Sequence, residues 1–225
     1  MHNLVEIVNR SHKITFLQNE LLKWANIQQR KFPWRQQNLS SYQYIIAEIL
    51  LQRTKADTIK DFYPIFILRY PTWESIANTS QADIAQFLRP IGLYNQRSMR
   101  LKKLAHEMLL LNSIIPKERK DIEKLSFMGQ YIVNAILLFI HNIPAPLLDV
   151  NMARILERYF GKRKLADIRY DNYLQELAHD MVNHPNTKNL NYAVLDFAAI
   201  VCKPKPNCSD CPLSSECYFF NTHSR

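Results

Sequence analysis

The chain has 225 residues and a mass of 26.6 kDa, enough for one large domain or two small ones with a sizeable hydrophobic core. Hydrophobic residues make up 47% of the chain and charged residues 22%, a balance that disfavours both a disordered chain and a coiled coil. Twenty-nine Lys and Arg against twenty Asp and Glu leave a net charge of +9, which favours a polyanionic partner or, alternatively, a solvated basic surface.

The predicted elements are helices. Apolar residues recur at helical spacing within 42–50, 84–88 and 101–111, and few alternating β-branched runs compete with them. Prolines fall mostly between these segments, as they do between helices. The pattern predicts an all-α fold of short helices packed in several layers, with a connector between two lobes at 144–149.

Three classes of protein are excluded. The three glycines stand far apart, so glycine-rich phosphate loops are absent. The longest apolar runs, 44–51 and 132–140, fall far short of the roughly 20 residues of a membrane span. The first residues, Met-His-Asn-Leu-Val-Glu, lack the apolar run of a secretory signal. We therefore expect no membrane partner and a cytoplasmic protein, associated with the nucleoid if the source is prokaryotic.

All four cysteines fall within sixteen residues, in the pattern C-x5-C-x2-C-x5-C. In a reducing compartment such a compact set predicts a metal site rather than disulfides. Structural zinc usually takes two C-x2-C pairs, whereas a single pair flanked by two five-residue arms suits a [4Fe-4S] cluster, with zinc as the alternative. The predicted ligands are Cys202, Cys208, Cys211 and Cys217.

Two carboxylates stand among apolar residues. Glu48 interrupts the apolar helical run 44–51, and burial there favours the protonated form that a general acid needs; a wet helix edge or an ion pair with Arg35 or Arg53 is the alternative. Asp149 directly precedes a helical pattern that begins at Val150. An N-cap role and a catalytic role are both open there, because either would place the carboxylate at a helix N-terminus, which favours its anionic form. In such a pair one carboxyl group can act as general acid while the other, as an anion, stabilises positive charge on the sugar during cleavage of a nucleosidic bond.

Five motifs occur in order along residues 32–217: Phe32-Pro-Trp-Arg35, Glu48-Ile-Leu-Leu-Gln-Arg-Thr54, Ile91-Gly-Leu-Tyr-Asn-Gln-Arg97, Leu148-Asp-Val-Asn-Met-Ala-Arg154 and the four-cysteine loop. Together they resemble the helix-hairpin-helix DNA glycosylases of the endonuclease III type, most closely the mismatch-specific branch. The resemblance implies two helical lobes with the active site in the cleft between them. Residues 39–145 would form a six-helix barrel with the helix-hairpin-helix, while the N-terminal segment 1–38 and residues 146–225 would form an iron-sulfur cluster lobe.

The resemblance also implies roles for individual residues. Asp149 matches the catalytic aspartate and Glu48 the glutamate beside the flipped base, while Leu93 matches the wedge that fills the vacated stack. The residues expected to contact DNA are Gln52, Arg53, Leu93, Arg97, Gly129 and Gln130.

Two positions depart from the family pattern. The family hairpin reads Leu-Pro-Gly-Val-Gly, but here it is Leu125-Ser-Phe-Met-Gly129. Because Phe127 is expected to lack the positive φ and close contact of glycine, we expect weaker or remodelled phosphate binding. Tyr131 replaces the lysine with which bifunctional members form a Schiff base, so we predict base excision without strand cleavage and count Tyr131 among the catalytic residues; a packed helix tyrosine is the alternative.

The predicted substrate is double-stranded DNA with thymine or uracil opposite guanine, bound by a monomer. Adenine glycosylases usually carry an extra C-terminal domain, and because this chain ends eight residues after Cys217 we expect none here. An adenine-specific mismatch glycosylase is the alternative within the family, and a non-catalytic DNA-binding module is the alternative of another class.

Overall fold

The computed structural model describes the backbone of residues 2–223 and the side chains of residues 8–223. Those residues contain no strand, so the predicted all-α fold is confirmed. The helices are α1 (His2–Gln28), α2 (Ser41–Leu51), α3 (Ala56–Arg69), α4 (Trp73–Asn78), α5 (Gln81–Leu88), α6 (Tyr94–Leu110), α7 (Arg119–Ile122), α8 (Gln130–Phe139), α9 (Val150–Phe160), α10 (Asn172–Val182), α11 (Thr187–Ile200) and α12 (Tyr218–His223). Within residues 2–223 no helix combines the length and hydropathy needed to cross a membrane.

Backbone contacts divide the chain into two compact units. The middle unit is Lys31–Asn142, and the terminal unit combines Met1–Arg30 with Ile143–Arg225. The predicted segments 1–38, 39–145 and 146–225, the count of six helices in a barrel and the iron-sulfur lobe stay predictions.

The middle unit is built around α2 and α8, whose sequences are mostly apolar. Ser40 is the N-cap of α2: its hydroxyl accepts a hydrogen bond from the Gln43 amide, while the Gln43 side chain accepts one from the Ser40 amide. The rings of Tyr44 on α2 and Phe139 on α8 stack at 5.6 Å. Helix α6 buries one face through Leu101 and Leu104 at helical spacing.

In the terminal unit α1 packs against α10 and α11, and both of these pack against α9, around a core that includes Leu17, Met152 and Phe197. The N-cap of α10 is the buried Asp171, whose carboxylate accepts hydrogen bonds from the amides of Lys164, Leu165 and Leu174 at 2.7–2.8 Å. These three donors, that of Leu165 foremost, hold the pKa of Asp171 below its usual value.

Candidate functional site

Asp149 is the N-cap of α9. Its Oδ1 accepts hydrogen bonds from the amides of Asn151 and Met152, both at 2.9 Å, and its Oδ2 accepts one from Asn151 Nδ2 at 2.6 Å. The side chain is half-buried. Three donors and the positive end of the helix stabilise a carboxylate anion, as the sequence-based N-cap hypothesis requires. The arrangement fixes the positions of both carboxylate oxygens at the start of α9.

Asn151, whose side chain donates to Asp149, is itself fixed by a hydrogen bond from Arg154. Arg154, one turn further along α9, donates from Nη2 to Asn151 Oδ1 at 3.0 Å and to the carbonyl oxygen of Ala198 at 3.0 Å. Its Nε donates to the carbonyl oxygen of Cys202 at 2.8 Å. The side chain that orients Asp149 is therefore tied, through Arg154, to the end of α11 and the start of the cysteine loop.

Glu48 lies on the buried face of α2 and is only 8% exposed. Its neighbours along the helix, Ile45, Ile46, Ile49 and Leu50, are also buried. The wet helix edge considered for this residue is thus wrong, because the side chain is packed in the middle unit. A carboxylate in such surroundings is suited to holding and releasing a proton.

Leu93 and Arg53 both adopt left-handed backbone conformations, with φ of 53° and 55°. Leu93 precedes α6 and is 44% exposed, while Arg53 lies just after α2 and is also exposed. Gln52 is the C-cap of α2. The loops that carry these residues are joined by a hydrogen bond from Thr54 Oγ1 to the carbonyl oxygen of Ile91 at 3.2 Å. An exposed apolar side chain thus stands beside a polar loop, as a wedge requires.

Arg97 was expected to contact DNA, and this expectation is wrong. The side chain is 2% exposed, and its guanidinium donates to the carbonyl oxygens of Gly92 at 2.6 Å and Gln52 at 2.8 Å. Longer bonds reach Ile91, Leu50 and Thr54. Burial lowers the pKa of this guanidinium. Arg97 therefore holds together the loop after α2 and the loop before α6. Its burial could have been predicted from the sequence, because it lies four residues before Leu101, on the apolar face of α6.

The hairpin before α8 adopts the turn that the sequence argued against. Phe127 has a φ of 71°, so the expectation that it lacks a positive φ is wrong. Gly129 is the exposed N-cap of α8, with a φ of −74° and no atom within 4 Å of where a Cβ would stand. Neither its conformation nor its packing demands glycine, which leaves room for an external group. Gln130 and the half-buried Tyr131 follow in the first turn of α8, and their roles stay predictions.

The four cysteines line one small cavity between α9 and the loop that follows α11, together with Arg158 and Tyr159. Arg158 Nη1 lies 3.3 Å from Cys202 Sγ and donates to the carbonyl oxygen of Lys203 at 2.6 Å. Burial raises the pKa of the Cys211 thiol to about 11 and also raises that of Cys217. Among the residues described, no three His, Cys, Asp or Glu side chains lie close enough to share one metal ion.

The helical fold, the N-cap aspartate and the turn before α8 agree with the resemblance drawn from the ordered motifs. Residues 46–179 match the HhH-GPD superfamily of base excision DNA repair proteins, and the chain belongs to this superfamily. The resemblance predicted from the ordered motifs is confirmed.

Individual relatives are similar over most of this chain. The thymine/uracil-DNA glycosylase of Methanothermobacter thermautotrophicus is 34% identical over 220 residues, which cover 96% of this chain and 97% of that protein. A solved structure of a thermostable thymine-DNA glycosylase matches with a TM-score of 0.84 at 33% identity, covering 94% of this chain and 98% of the other. The adenine DNA glycosylase of Buchnera aphidicola is 30% identical over 200 residues, covering 88% of this chain and 57% of that protein.

Proposed function

We propose that this protein is a monofunctional DNA N-glycosylase that removes thymine or uracil opposite guanine. The observation that carries the proposal is its similarity to a thymine/uracil-DNA glycosylase along nearly the whole of both chains. Adenine DNA glycosylases are the second candidate because one of them is 30% identical. The thymine/uracil-DNA glycosylase is 34% identical to this chain and the adenine glycosylase 30% identical, which favours thymine and uracil over adenine.

Asp149 would supply the negative charge that the reaction needs. Loss of the base leaves positive charge on the sugar in an oxocarbenium-like transition state, and a fixed anion nearby lowers its energy. The three hydrogen bonds to Asp149 orient the carboxylate before the substrate arrives, so little reorganisation accompanies the reaction.

Glu48 would manage protons at the same nucleotide. Its packed position favours exchange of a proton with the departing base or with the attacking water rather than a permanent charge. Tyr131 carries a phenol in place of an amine, so no imine with the sugar can form and the strand stays intact. The joint action of Glu48 and Asp149 on one nucleotide is part of the proposal.

The strand is held by parts of the middle unit. A base within a duplex must be extruded before its glycosidic bond can be reached. Leu93 would fill the gap, Gln52 and Arg53 would face the opposite strand, and Gly129 with Gln130 would receive a phosphate of the substrate strand. The open space at Gly129 and the exposure of Leu93 support these assignments.

The four cysteines would hold a [4Fe-4S] cluster. All four thiols line one cavity, and the single C-x2-C pair flanked by two five-residue arms supports the cluster over zinc. When bound, such a cluster would replace the protons of buried thiols and fix the cysteine loop against α9. Purified protein should be brown and contain iron and inorganic sulfide in equal amounts; a colourless protein that contains zinc would contradict the assignment.

Excision is tested on duplexes carrying G·T, G·U, A·G and adenine opposite oxidised guanine, each incubated with excess protein and then heated in alkali. We expect strand breaks for G·T and G·U only, and only after alkali. Breaks without alkali would contradict the role given to Tyr131, and breaks confined to the adenine duplexes would favour the second candidate. Intact strands throughout would support the non-catalytic DNA-binding module.

Variants assign the reaction to its residues. Asp149→Asn keeps the shape of the side chain but not its charge, so excision should be lost while duplex binding remains. Asp61→Asn, which removes an exposed carboxylate on α3, is the matched control and should excise at the wild-type rate. Sedimentation should show a particle of 26.6 kDa if the protein acts as a monomer.

A further inference from the structure

The hairpin turn at residues 125–129 holds a bulky side chain in a conformation that favours glycine. Phe127 has a φ of 71°, in the left-handed region where a Cβ crowds the backbone. Such a residue keeps this conformation only when its surroundings impose it. The turn must therefore be held from outside, and the residues that hold it can be identified.

The holding contact comes from α6. The amide of Ser126, the residue before Phe127, donates to Glu107 Oε2 at 2.7 Å, and the Ser126 hydroxyl donates to Glu107 Oε1 at 2.9 Å. One carboxylate thus receives two bonds from a single residue nineteen positions away in the sequence. Both bonds are partly buried, which strengthens charge-assisted hydrogen bonds.

A second contact from the same helix acts on the aromatic ring. The guanidinium of Arg100 lies 5.7 Å from the centre of the Phe127 ring, within the range of a cation–π contact. Arg100 and Glu107 are two helical turns apart on α6, so they contact the turn at separate points. The contact with Glu107 is the stronger one, because it consists of two hydrogen bonds to a carboxylate.

We propose that Glu107 is a positioning residue that clamps this hairpin turn in the shape that binds DNA, doing here what a glycine does in the family's hairpin. The inference rests on the proposed function, in which the hairpin contacts a phosphate. It explains why a phenylalanine is tolerated at position 127, since the clamp replaces the conformational freedom of glycine.

Charge makes the proposal easy to test. Glu107 places a negative charge beside a segment that contacts phosphates, so its removal should tighten DNA binding if charge alone mattered. Loss of the clamp should have the opposite effect and weaken DNA binding, because without Glu107 the backbone of Phe127 relaxes to negative φ and the turn changes shape. Weaker binding after loss of a carboxylate is therefore the signature of positioning.

The experiment measures binding of the full chain to a duplex with 2′-fluoro-thymidine opposite guanine, which resists cleavage. Glu107→Ala keeps a good helix former in α6 and should weaken binding by about tenfold, the size expected for releasing a strained residue. Its single-turnover rate on a G·T duplex at saturating protein should stay unchanged. His106→Ala, an exposed neighbour on the same helix, is the matched control and should bind like the wild type.

Rescue separates positioning from general damage. In the Glu107→Ala background, Phe127→Gly should restore most of the lost affinity, since glycine takes a positive φ without a clamp. Ser126→Ala removes one of the two bonds and should give a smaller loss, which keeps the test available if Glu107→Ala fails to fold.

Unchanged or tighter binding by a folded Glu107→Ala, or failure of Phe127→Gly to restore affinity, would overturn the proposal while leaving the glycosylase assignment intact. If the wild type bound no duplex, the proposed function and the clamp would fall together.

Discussion

Replacing Arg97 by methionine tests whether one buried guanidinium supports both loops that are proposed to contact DNA. The two short bonds, to the carbonyl oxygens of Gly92 and Gln52, are charge-assisted, and such bonds contribute about 1.5–3 kcal/mol each. Burial of the charge, which lowers the pKa of Arg97, offsets part of that gain, and methionine refills the apolar volume. We expect a net loss of about 3 kcal/mol in the free energy of unfolding.

Urea unfolding measures this loss, and the melting temperature should fall by about 6–12 °C. Duplex binding should weaken in the folded variant, because Leu93 and Arg53 lose the support that keeps their left-handed conformations. Arg69→Met, which removes an exposed cation from α3, is the control and should change stability by less than about 0.5 kcal/mol. Arg97→Lys should recover only part of the loss, since an ammonium cannot span both loops with a planar fork. An Arg97→Met protein with wild-type stability and binding would refute the reasoning.

Three further predictions follow from the geometry. Gly129→Ala should leave the free energy of unfolding within about 0.5 kcal/mol, because a stiffer unfolded chain offsets a poorer N-cap, yet it should weaken duplex binding several-fold in a titration. Asp171→Asn should cost about 1 kcal/mol at pH 7 in urea unfolding. The pKa of Asp171 is lower in the folded state than in the unfolded state, where it is near 4. The stabilisation is therefore complete above the unfolded-state pKa and is lost as the pH falls through the folded-state pKa. The free energies of unfolding of Asp171→Asn and the wild type should thus converge in acid. Arg154→Ala should slow single-turnover excision by roughly tenfold at saturating protein without weakening binding, because it frees Asn151 beside the reactive carboxylate. Equal rates for wild type and Arg154→Ala would contradict that link.

The features that were predicted from the sequence are local ones. Helical periodicity and caps are set by residues within one or two turns, so the all-α fold and the N-cap at Asp149 could be predicted from neighbouring residues alone. The apolar run around Glu48 likewise indicated a packed carboxylate. The ordered motifs identified the family because their order along the chain carries more information than any one motif.

The features that were missed depend on distant partners. Phe127 takes a positive φ because Glu107 holds Ser126, and no local rule predicts that contact across nineteen residues. The charge of Arg97 favoured a contact with DNA, whereas its acceptors are carbonyl oxygens in two loops that only the fold brings together. Its helical register with Leu101 indicated burial, and in this case register rather than charge decides where the side chain lies.

Helix α9 links the proposed catalytic carboxylate of Asp149, at its N-terminus, to the cysteine loop, which contacts its C-terminal half. Eleven residues at 1.5 Å each give it a length of about 16 Å, and an α-helix resists compression along its axis. Arg154 and Arg158 grip the backbone at Cys202 and Lys203, while Asp149 caps the opposite end. One helix thus carries both the cap that orients the proposed catalytic carboxylate and the two arginines that bind the cysteine loop, so the order of that loop and the position of the carboxylate depend on the same element.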